Sequence, residues 1–310
     1  MLENLEREDG IVPPKFRSPM EKGAHPELDT SEALDAIGIK KYQSLIGALQ
    51  WCVTLGRFDI NCAVMTMSRF RAEPKANHLK TLHRILGYLK HTKDAAIRFR
   101  TNIPDYKHLK SPEYDWSQSV YKGVEEDIPL NAPSPKGRTV RLSTFVDANL
   151  LHCRATGRSA SGILHLINDT PIDWYSKKQN SVEAATYGSE FMAARIAVQQ
   201  IMDMRITLRY MGVPLEPSAW LFGDNESVIK SSMIPASTLG KRHNALSYHT
   251  VRAAIAAGFV EFHHIPGVDN IADIMTKHLE PRVLEPLVQP YLMWKGPLKK
   301  KNSLEDAEEN

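Results

Sequence analysis

Three apolar stripes at helical spacing open the readable part of the chain. Tyr42, Leu45, Ile46, Leu49 and Val53 form the first, Ala63, Val64, Met67 and Phe70 the second, and Leu79, Leu82, Ile85, Leu86 and Leu89 the third. Apolar positions recurring at three- and four-residue steps give each helix one face to bury and one polar face. The spacing predicts helices over residues 38–100, with Asp59 capping the second and Pro74 keeping it from running into the third. AIRFR closes the segment as an alternating, strand-like stretch. Residues 1–37 hold Pro13, Pro14, Pro19 and Pro26 with little periodicity, and are expected as an extended or loosely docked lead-in.

From residue 140 the pattern changes. TVRLSTFVDA, SGILHLIN and PIDWYSK read as three strands that turn at Thr156-Gly157-Arg158 and at Asp169-Thr170, which predicts an antiparallel meander. A long helical pattern follows, roughly Ala184 to Tyr210, carrying Phe191, Ala194, Ile196, Ala197, Ile201, Met204 and Leu208. AWLFGD is a short buried strand, NESVIKSSM a short helix, Leu246 to Ala257 another helix, VEFHHIP a fifth strand and NIADIMTKHL a last helix. The order βββ-α-β-α-α-β-α predicts an α/β domain over residues 140–285. Residues 101–139, rich in Pro, Ser and Asp with scattered aromatics, suit a linker lying on a neighbouring surface. Residues 286–310 end in KKKNSLEDAEEN and are expected as a solvated tail.

Composition narrows the function classes. A chain of 310 residues suggests about two domains. A hydrophobic fraction of 42% with 24% charged residues excludes global disorder. No apolar run is long enough for a bilayer, and the charged N-terminus MLENLEREDGIVPPK has no secretory core, so neither a membrane span nor secretion is expected. Cys52, Cys62 and Cys153 are odd in number and lack a C-x-x-C spacing, which argues against a disulfide framework or a zinc ribbon and for a reducing compartment. The net charge of +3 hides an asymmetry: residues 40–100 carry twelve Lys/Arg against three Asp/Glu, so the remainder is acidic. Such a basic segment suits a polyanion partner, and a solvated helix surface equally well.

Four acids of the α/β half stand where chemistry is commonly built. Asp147 ends the apolar run TFVDAN, Glu190 lies in the long helix, Asp224 follows the strand LFGD, and Asp273 lies in the last helix. A carboxylate at the rim of a sheet is partly desolvated and disfavoured unless a cation is near. Two Mg²⁺ ions about 4 Å apart can bind the attacking and leaving oxygens of a phosphodiester, and oxygen ligands suit that ion. Singly, each acid has a bland alternative: Asp224 could cap the next helix, and Asp273 could be a surface residue.

Longer motifs add a resemblance. VDANL, TGRSASGIL, TPIDWYSKKQNSVEAATYGSEFMAAR, FGDNESVI, KRHNALSYHTVRAA and IPGVDNIADIMTKHL resemble, in order, the ribonuclease H domain of copia-type retrotransposon Pol polyproteins. KKYQSLIGALQWCVTLGRFDINCAVMTMSRF with LKTLHRILGYLKHTKDAAIRF resembles the thumb-like helical segment that follows the reverse-transcriptase palm in the same polyproteins. The resemblance covers roughly residues 38–280. It implies a ribonuclease H-like fold: a five-stranded mixed sheet with helices on both faces, preceded by a small helical thumb-like segment. It implies hydrolysis of the RNA strand of an RNA/DNA hybrid with two Mg²⁺ ions, Mn²⁺ being an alternative. Carried over by motif, the ligands and catalytic residues are Asp147, Glu190, Asp224 and Asp273.

Further expectations follow from the resemblance. Lys80, Arg84, Lys90 and Lys93 would hold the hybrid by its phosphates, and Lys177 and Lys178, with Gln179, would touch its backbone. Partners would be the hybrid and the remaining reverse-transcriptase palm and fingers. The place of action would be a cytoplasmic virus-like particle or the nucleus. No Tyr-x-Asp-Asp occurs, so DNA polymerisation is not expected of this chain. His243, His249, His263 and His264 have no assigned role; a packed histidine is the plain reading for each, with proton shuttling open to His264. The alternative to an enzyme is a non-catalytic or partner-dependent nucleic-acid-binding fragment.

Overall fold

The computed structural model describes residues 13–105, 109, 112 and 114–293. The first twelve residues of the expected lead-in and the KKKNSLEDAEEN end of the expected tail lie outside the described residues. The chain forms two compact units: one from the residues up to Arg98 together with those from His278 onward, the other from Phe99 to Lys277. Among the described residues no helix is long and apolar enough to cross a membrane.

The first unit is built on the three predicted stripes. Helix α1 (Ala36–Thr54) starts where Asp35 accepts a hydrogen bond from the Gly38 N–H at 2.7 Å, and buries Tyr42, Leu45, Ile46 and Leu49. Helix α2 (Asn61–Ser68) buries Ala63, Val64 and Met67, and the Tyr42 hydroxyl donates to the Met67 carbonyl across the α1–α2 contact. Helix α3 (Ala76–His91) buries Leu82, Ile85, Leu86 and Leu89. Asp59 does not cap α2. It is buried in the preceding 3₁₀ turn, where both its oxygens take the Arg57 guanidinium at 2.9 and 2.8 Å. A bidentate guanidinium contact is stronger than a single backbone N–H, which is why the cap is forgone.

The described part of the lead-in, residues 13–37, is docked rather than loose. Ser18 and Met20 are buried, and the Pro26 carbonyl meets the buried His78 ring at 2.9 Å. A short strand β1 (Ala96–Ile97) closes the helical run.

The second unit holds the sheet. Strands β2 (Leu142–Cys153), β3 (Arg158–Ile167) and β4 (Thr170–Lys178) form the predicted antiparallel meander. Gly157 takes a φ of +67° in the first turn, a backbone state open to glycine at little cost. Helix α4 (Thr186–Tyr210) follows, then β5 (Ala219–Gly223), α5 (Glu226–Met233), α6 (Ala245–Ala256), β6 (Val260–His264) and the single turn α7 (Asp273–Thr276). The sheet order is β4-β3-β2-β5-β6, with β5 and β6 parallel to β2. This is the expected five-stranded mixed sheet in the ribonuclease H-like order. Val146, Ile163, Leu221 and Phe262 face a core with Phe191, Ala194, Val198 and Ile201 of α4 and with Val228 of α5 and Val251 of α6. Alternation along β2 then puts Asp147 on the opposite face, where α7 lies.

The segment before β2 belongs to this unit and is fastened by two arginines. Arg205 of α4 is 1% exposed and forks onto Glu126 at 2.6 and 3.0 Å, while donating to the carbonyls of Glu216 and Pro217. Arg252 of α6 donates to the carbonyls of Ser231, Ile234 and Pro235 and lies among the rings of Trp116, Tyr121 and Tyr248.

The expected boundary near residue 285 falls instead at Lys277. Helix α8 (Pro281–Val288) buries Leu284, Leu287 and Val288, and strand β7 (Leu292–Met293) pairs antiparallel with β1. Both return to the helical unit, so residues 286–293 are not a tail. The apolar residues of PRVLEPLV lie at helical spacing and gain more from burial than from water.

Arg205→Met should lower the stability of the α/β unit by about 2 kcal/mol, because the buried carbonyls of Glu216 and Pro217 lose their donor while Glu126 keeps Arg209. Urea unfolding checks it; a change below about 1 kcal/mol would mean that Arg205 does not fasten this segment.

Candidate active site

Register brings the first carboxylate into place. Asp147 stands opposite Gly162 of β3, one residue after the core-facing Val146. Glu190 lies in the second turn of α4, which packs on that core. Asp224 follows the last residue of β5, and the cap of α5 is the next residue: Asn225 accepts from the Val228 N–H at 3.2 Å. The capping alternative for Asp224 is thereby removed. One carboxylate oxygen from each of Asp147, Glu190 and Asp224 lies within 4.8 Å of the others. Asp147 is 1% exposed and Glu190 8%.

Asp273, the first residue of α7, stands beside this trio and is held by a lysine the sequence reading passed over. The Lys277 ammonium lies 2.6 Å from Asp273 Oδ1 and 3.3 Å from Asp147 Oδ1. The Thr276 hydroxyl donates to Asp147 Oδ2. Asp273 and Lys277 are four apart, the spacing at which opposite charges meet on a helix, and that was the available signal.

The loop before α7 is pinned from below. Asn270, fully buried, donates to the Val146 carbonyl at 3.0 Å and accepts from the Ala272 N–H at 3.1 Å. The Ser176 hydroxyl of β4 donates to the Met275 carbonyl. A Cβ at Gly162 would lie 2.6 Å from Met275 Cβ and from Thr276 Cγ2. Only a residue without a side chain lets α7 close on β3 here.

The electrostatics follow from burial and crowding. Burial pushes the Glu190 carboxyl well above its usual range, and Asp147 and Asp224 add repulsion. Burial, then Asp147, raise Asp224. Burial and then Asp147 lift Asp273 to about 6, against the pull of Lys277. Burial opposes the Lys277 ammonium, but Asp147 and Asp273 outweigh it and keep it charged. Four carboxylates thus face one ammonium in a partly dry site. All the donors are hard oxygens, so a divalent cation such as Mg²⁺ or Mn²⁺ fits Asp147, Glu190 and Asp224 by chemistry and by charge.

The remaining expected residues fall in different places. Lys177 is exposed on edge strand β4 in register with Ser161, and Lys178 is half-buried beside it. Gln179 is no surface contact: it is buried, and its amide donates to Ser161 Oγ and to the Ser189 carbonyl, tying β4 to α4. Lys80, Arg84, Lys90 and Lys93 lie on or just past α3, in the other unit. Lys80 and Lys93 are exposed and Lys90 half-buried, whereas Arg84 is engaged with Glu21 at 2.9 Å and stacked on Phe16.

The four histidines separate clearly. His263 is buried, 4.6 Å from the Trp220 ring and 3.3 Å from Glu261. His249 packs with its Nδ1 2.6 Å from the Tyr121 hydroxyl. His243 is largely exposed and meets the buried Glu183 at 3.2 Å. His264 is exposed at the end of β6, near enough to Asp224 for a positive charge on its ring to pull that carboxyl down.

No protein-family profile matches the chain. It is 24% identical over 279 residues to the retrovirus-related Pol polyprotein from transposon RE1 of Arabidopsis thaliana, covering 90% of this chain and 16% of that protein. It is 24% identical over 239 residues to the Pol polyprotein from transposon TNT 1-94 of Nicotiana tabacum, covering 76% of this chain and 15% of that one. A putative transposon Ty5-1 protein of Saccharomyces cerevisiae is 26% identical over 164 residues, 53% of this chain and 42% of that protein. The relatives over most of the chain are copia-type Pol polyproteins, of whose first members it spans about one-sixth. Among solved structures, ribonuclease H1 from Halobacterium salinarum is 16% identical with a TM-score of 0.34, covering 44% of this chain and 94% of that one. The fold is defined by the sheet order β4-β3-β2-β5-β6 and its register.

Gly162→Ala should cost about 1–3 kcal/mol of stability by overpacking against α7, and should weaken divalent-ion binding. Thermal melts and an ion titration of the same variant check both. A pH effect follows as well. The folded chain keeps a proton on Asp273 up to about pH 6, which the unfolded chain gives up near about pH 4. The associated stability is complete below about pH 4 and is lost as pH rises through about 6. In EDTA the thermal midpoint of wild type should therefore fall more steeply from pH 4 to pH 7 than that of Asp273→Asn. Parallel curves would show that Asp273 carries no such proton.

Proposed function

We propose that this chain, a relative of copia-type retrotransposon Pol polyproteins with a ribonuclease H-like domain, hydrolyses the RNA strand of RNA/DNA hybrids with two divalent metal ions. The observation that carries the reading is the convergence of Asp147, Glu190 and Asp224 from three separate elements, two of them buried, beside Asp273. When bound, a pair of Mg²⁺ ions supplies an activated water and charge stabilisation for the leaving 3′-oxygen. Asp147, Glu190, Asp224 and Asp273 would hold the ions, Asp147 being suited to serve both because it stands next to the other three.

The chain's own groups set the conditions for that chemistry. Burial of Asp147 and Glu190 excludes water that would compete for their oxygens. Thr276 orients the Asp147 carboxylate, and Asn270 fixes the strand carbonyl just before it. Exposed Lys177 on β4 is suited to a phosphate of the hybrid, giving salt-dependent, sequence-tolerant binding. The 2′-hydroxyls in the wide minor groove distinguish the RNA strand. This reading puts the chain in a cytoplasmic particle or the nucleus.

A second reading is a binding fragment that needs a protein partner such as the palm and fingers of a reverse transcriptase. Ile37, Trp51 and Leu55, at or just past α1, are 77%, 63% and 67% exposed and recur at helical spacing, an apolar stripe suited to a partner.

Labelled hybrid, single-stranded RNA and duplex DNA, each incubated with the full chain in Mg²⁺, separate the two readings. Hybrid-only cleavage is expected, falling by at least about a thousandfold in Asp224→Asn while a gel shift changes less than about threefold. Cleavage retained in that variant would sink the site assignment. Binding without cleavage by folded wild type would favour the partner-dependent reading.

A further inference from the structure

The two cation positions implied by the four carboxylates are not alike in this chain. On one side Asp147, Glu190 and Asp224 offer oxygens within 4.8 Å of one another, and of these three the Lys277 ammonium is in salt-bridge contact with Asp147. On the other, the oxygens of Asp147 and Asp273 are bridged by the Lys277 ammonium at 3.3 and 2.6 Å. Asp147 Oδ2 already accepts from Thr276, so Lys277 takes the remaining oxygen, Oδ1.

We infer that Lys277 is a built-in counter-cation that holds the Asp147–Asp273 position, so that the two metal positions load in order. The first ion would enter the Asp147–Glu190–Asp224 side, where Glu190 and Asp224 form no salt bridge with the ammonium and only Asp147 is shared with it. The second binds only as Lys277 withdraws, because a cation and an ammonium cannot share the same two oxygens at contact distance. Mg²⁺ demands near-ideal oxygen geometry and tolerates no such intruder. Withdrawal needs no backbone change: the Lys277 side chain is 35% exposed, and its four-carbon stem can swing the ammonium into water. A position available only when a side chain has left binds more weakly by the fraction of time it is free. Lys277 is therefore a positioning residue that makes the second ion depend on something else favouring its entry, such as a bound phosphodiester whose negative charge joins the site.

The inference rests on the metal-dependent reading above, but its test needs no nucleic acid. The full chain, without substrate, is titrated with Mn²⁺ while free Mn²⁺ is counted by electron paramagnetic resonance. Wild type should bind one ion at least tenfold more tightly than a second. Lys277→Met, which keeps the stem and removes the charge, should tighten the second ion at least fivefold and leave the first within about twofold. Lys277→Arg should behave as wild type. Asp273→Asn should leave the tight ion unchanged and abolish the weak one, a check that stands even where Lys277→Met fails to fold. Two equal ions in wild type, a second ion unchanged or weakened in folded Lys277→Met, or loss of the tight ion in Asp273→Asn would each overturn the inference. None of these counts depends on hybrid cleavage, so absence of cleavage with ordered loading would defeat the hydrolytic reading and leave this one standing.

Discussion

Repulsion among carboxylates that the fold forces together is the constraint on which the rest of the α/β unit depends. Asp147 and Glu190 are nearly inaccessible to water, Asp224 stands beside them, and Asp273 completes the group. Even after relaxation, each ion taken from water costs several kcal/mol, so burial and crowding raise the hold of Glu190, Asp224 and Asp273 on protons despite the nearby ammonium. The protein tolerates the arrangement because the sheet and α4 hold their places through an apolar core on the opposite face, to which Val146 and Phe191 both belong. The cluster is a local loss of stability carried by packing elsewhere, as at many sites built for charge.

Polar fastenings convert that tolerance into a defined geometry. Asn270 binds the strand next to Asp147, Ser176 binds α7, and Gln179 ties β4 to α4. Each spends a buried donor on a backbone carbonyl or a neighbouring hydroxyl, so displacement of any one element would leave a buried polar group unpaired. Gly162 supplies the complementary condition, an absence of side chain where α7 must approach. Arg205 and Arg252 do similar work farther out, turning an irregular segment without helix or strand among its described residues into a fixed cover.

The elements were legible because their signals are local. Stripes such as Tyr42–Leu45–Ile46–Leu49 and the meander of three short strands follow from the 3.6 and 2.0 periods of the backbone. α4 was expected from 184 to 210 and spans Thr186–Tyr210. Errors arose where a specific side-chain or strand contact, near or far along the chain, outcompeted the simple rule. Asp59 looked like a cap and is claimed by Arg57; Gln179 looked like a surface group and is buried under α4; residues 286–293 looked like a tail and return to pair with β1. Arg84 shows the same effect, since its charge was visible but Glu21 and Phe16, far off in the chain, were not.

The sequence by itself determined which residue types were available, the order of strands and helices, and that four acids stood at or near element ends. Their membership of one site depended on a resemblance, since spacing alone leaves Asp147 and Asp273 more than a hundred residues apart. Only the tertiary structure decided that Asn225 rather than Asp224 caps α5, that Gly162 stands opposite Asp147, and that Lys277 lies between Asp147 and Asp273. The physical reason is that periodicity is a property of neighbours along the chain. Charge compensation and close approach are instead properties of neighbours in space, set by register and packing.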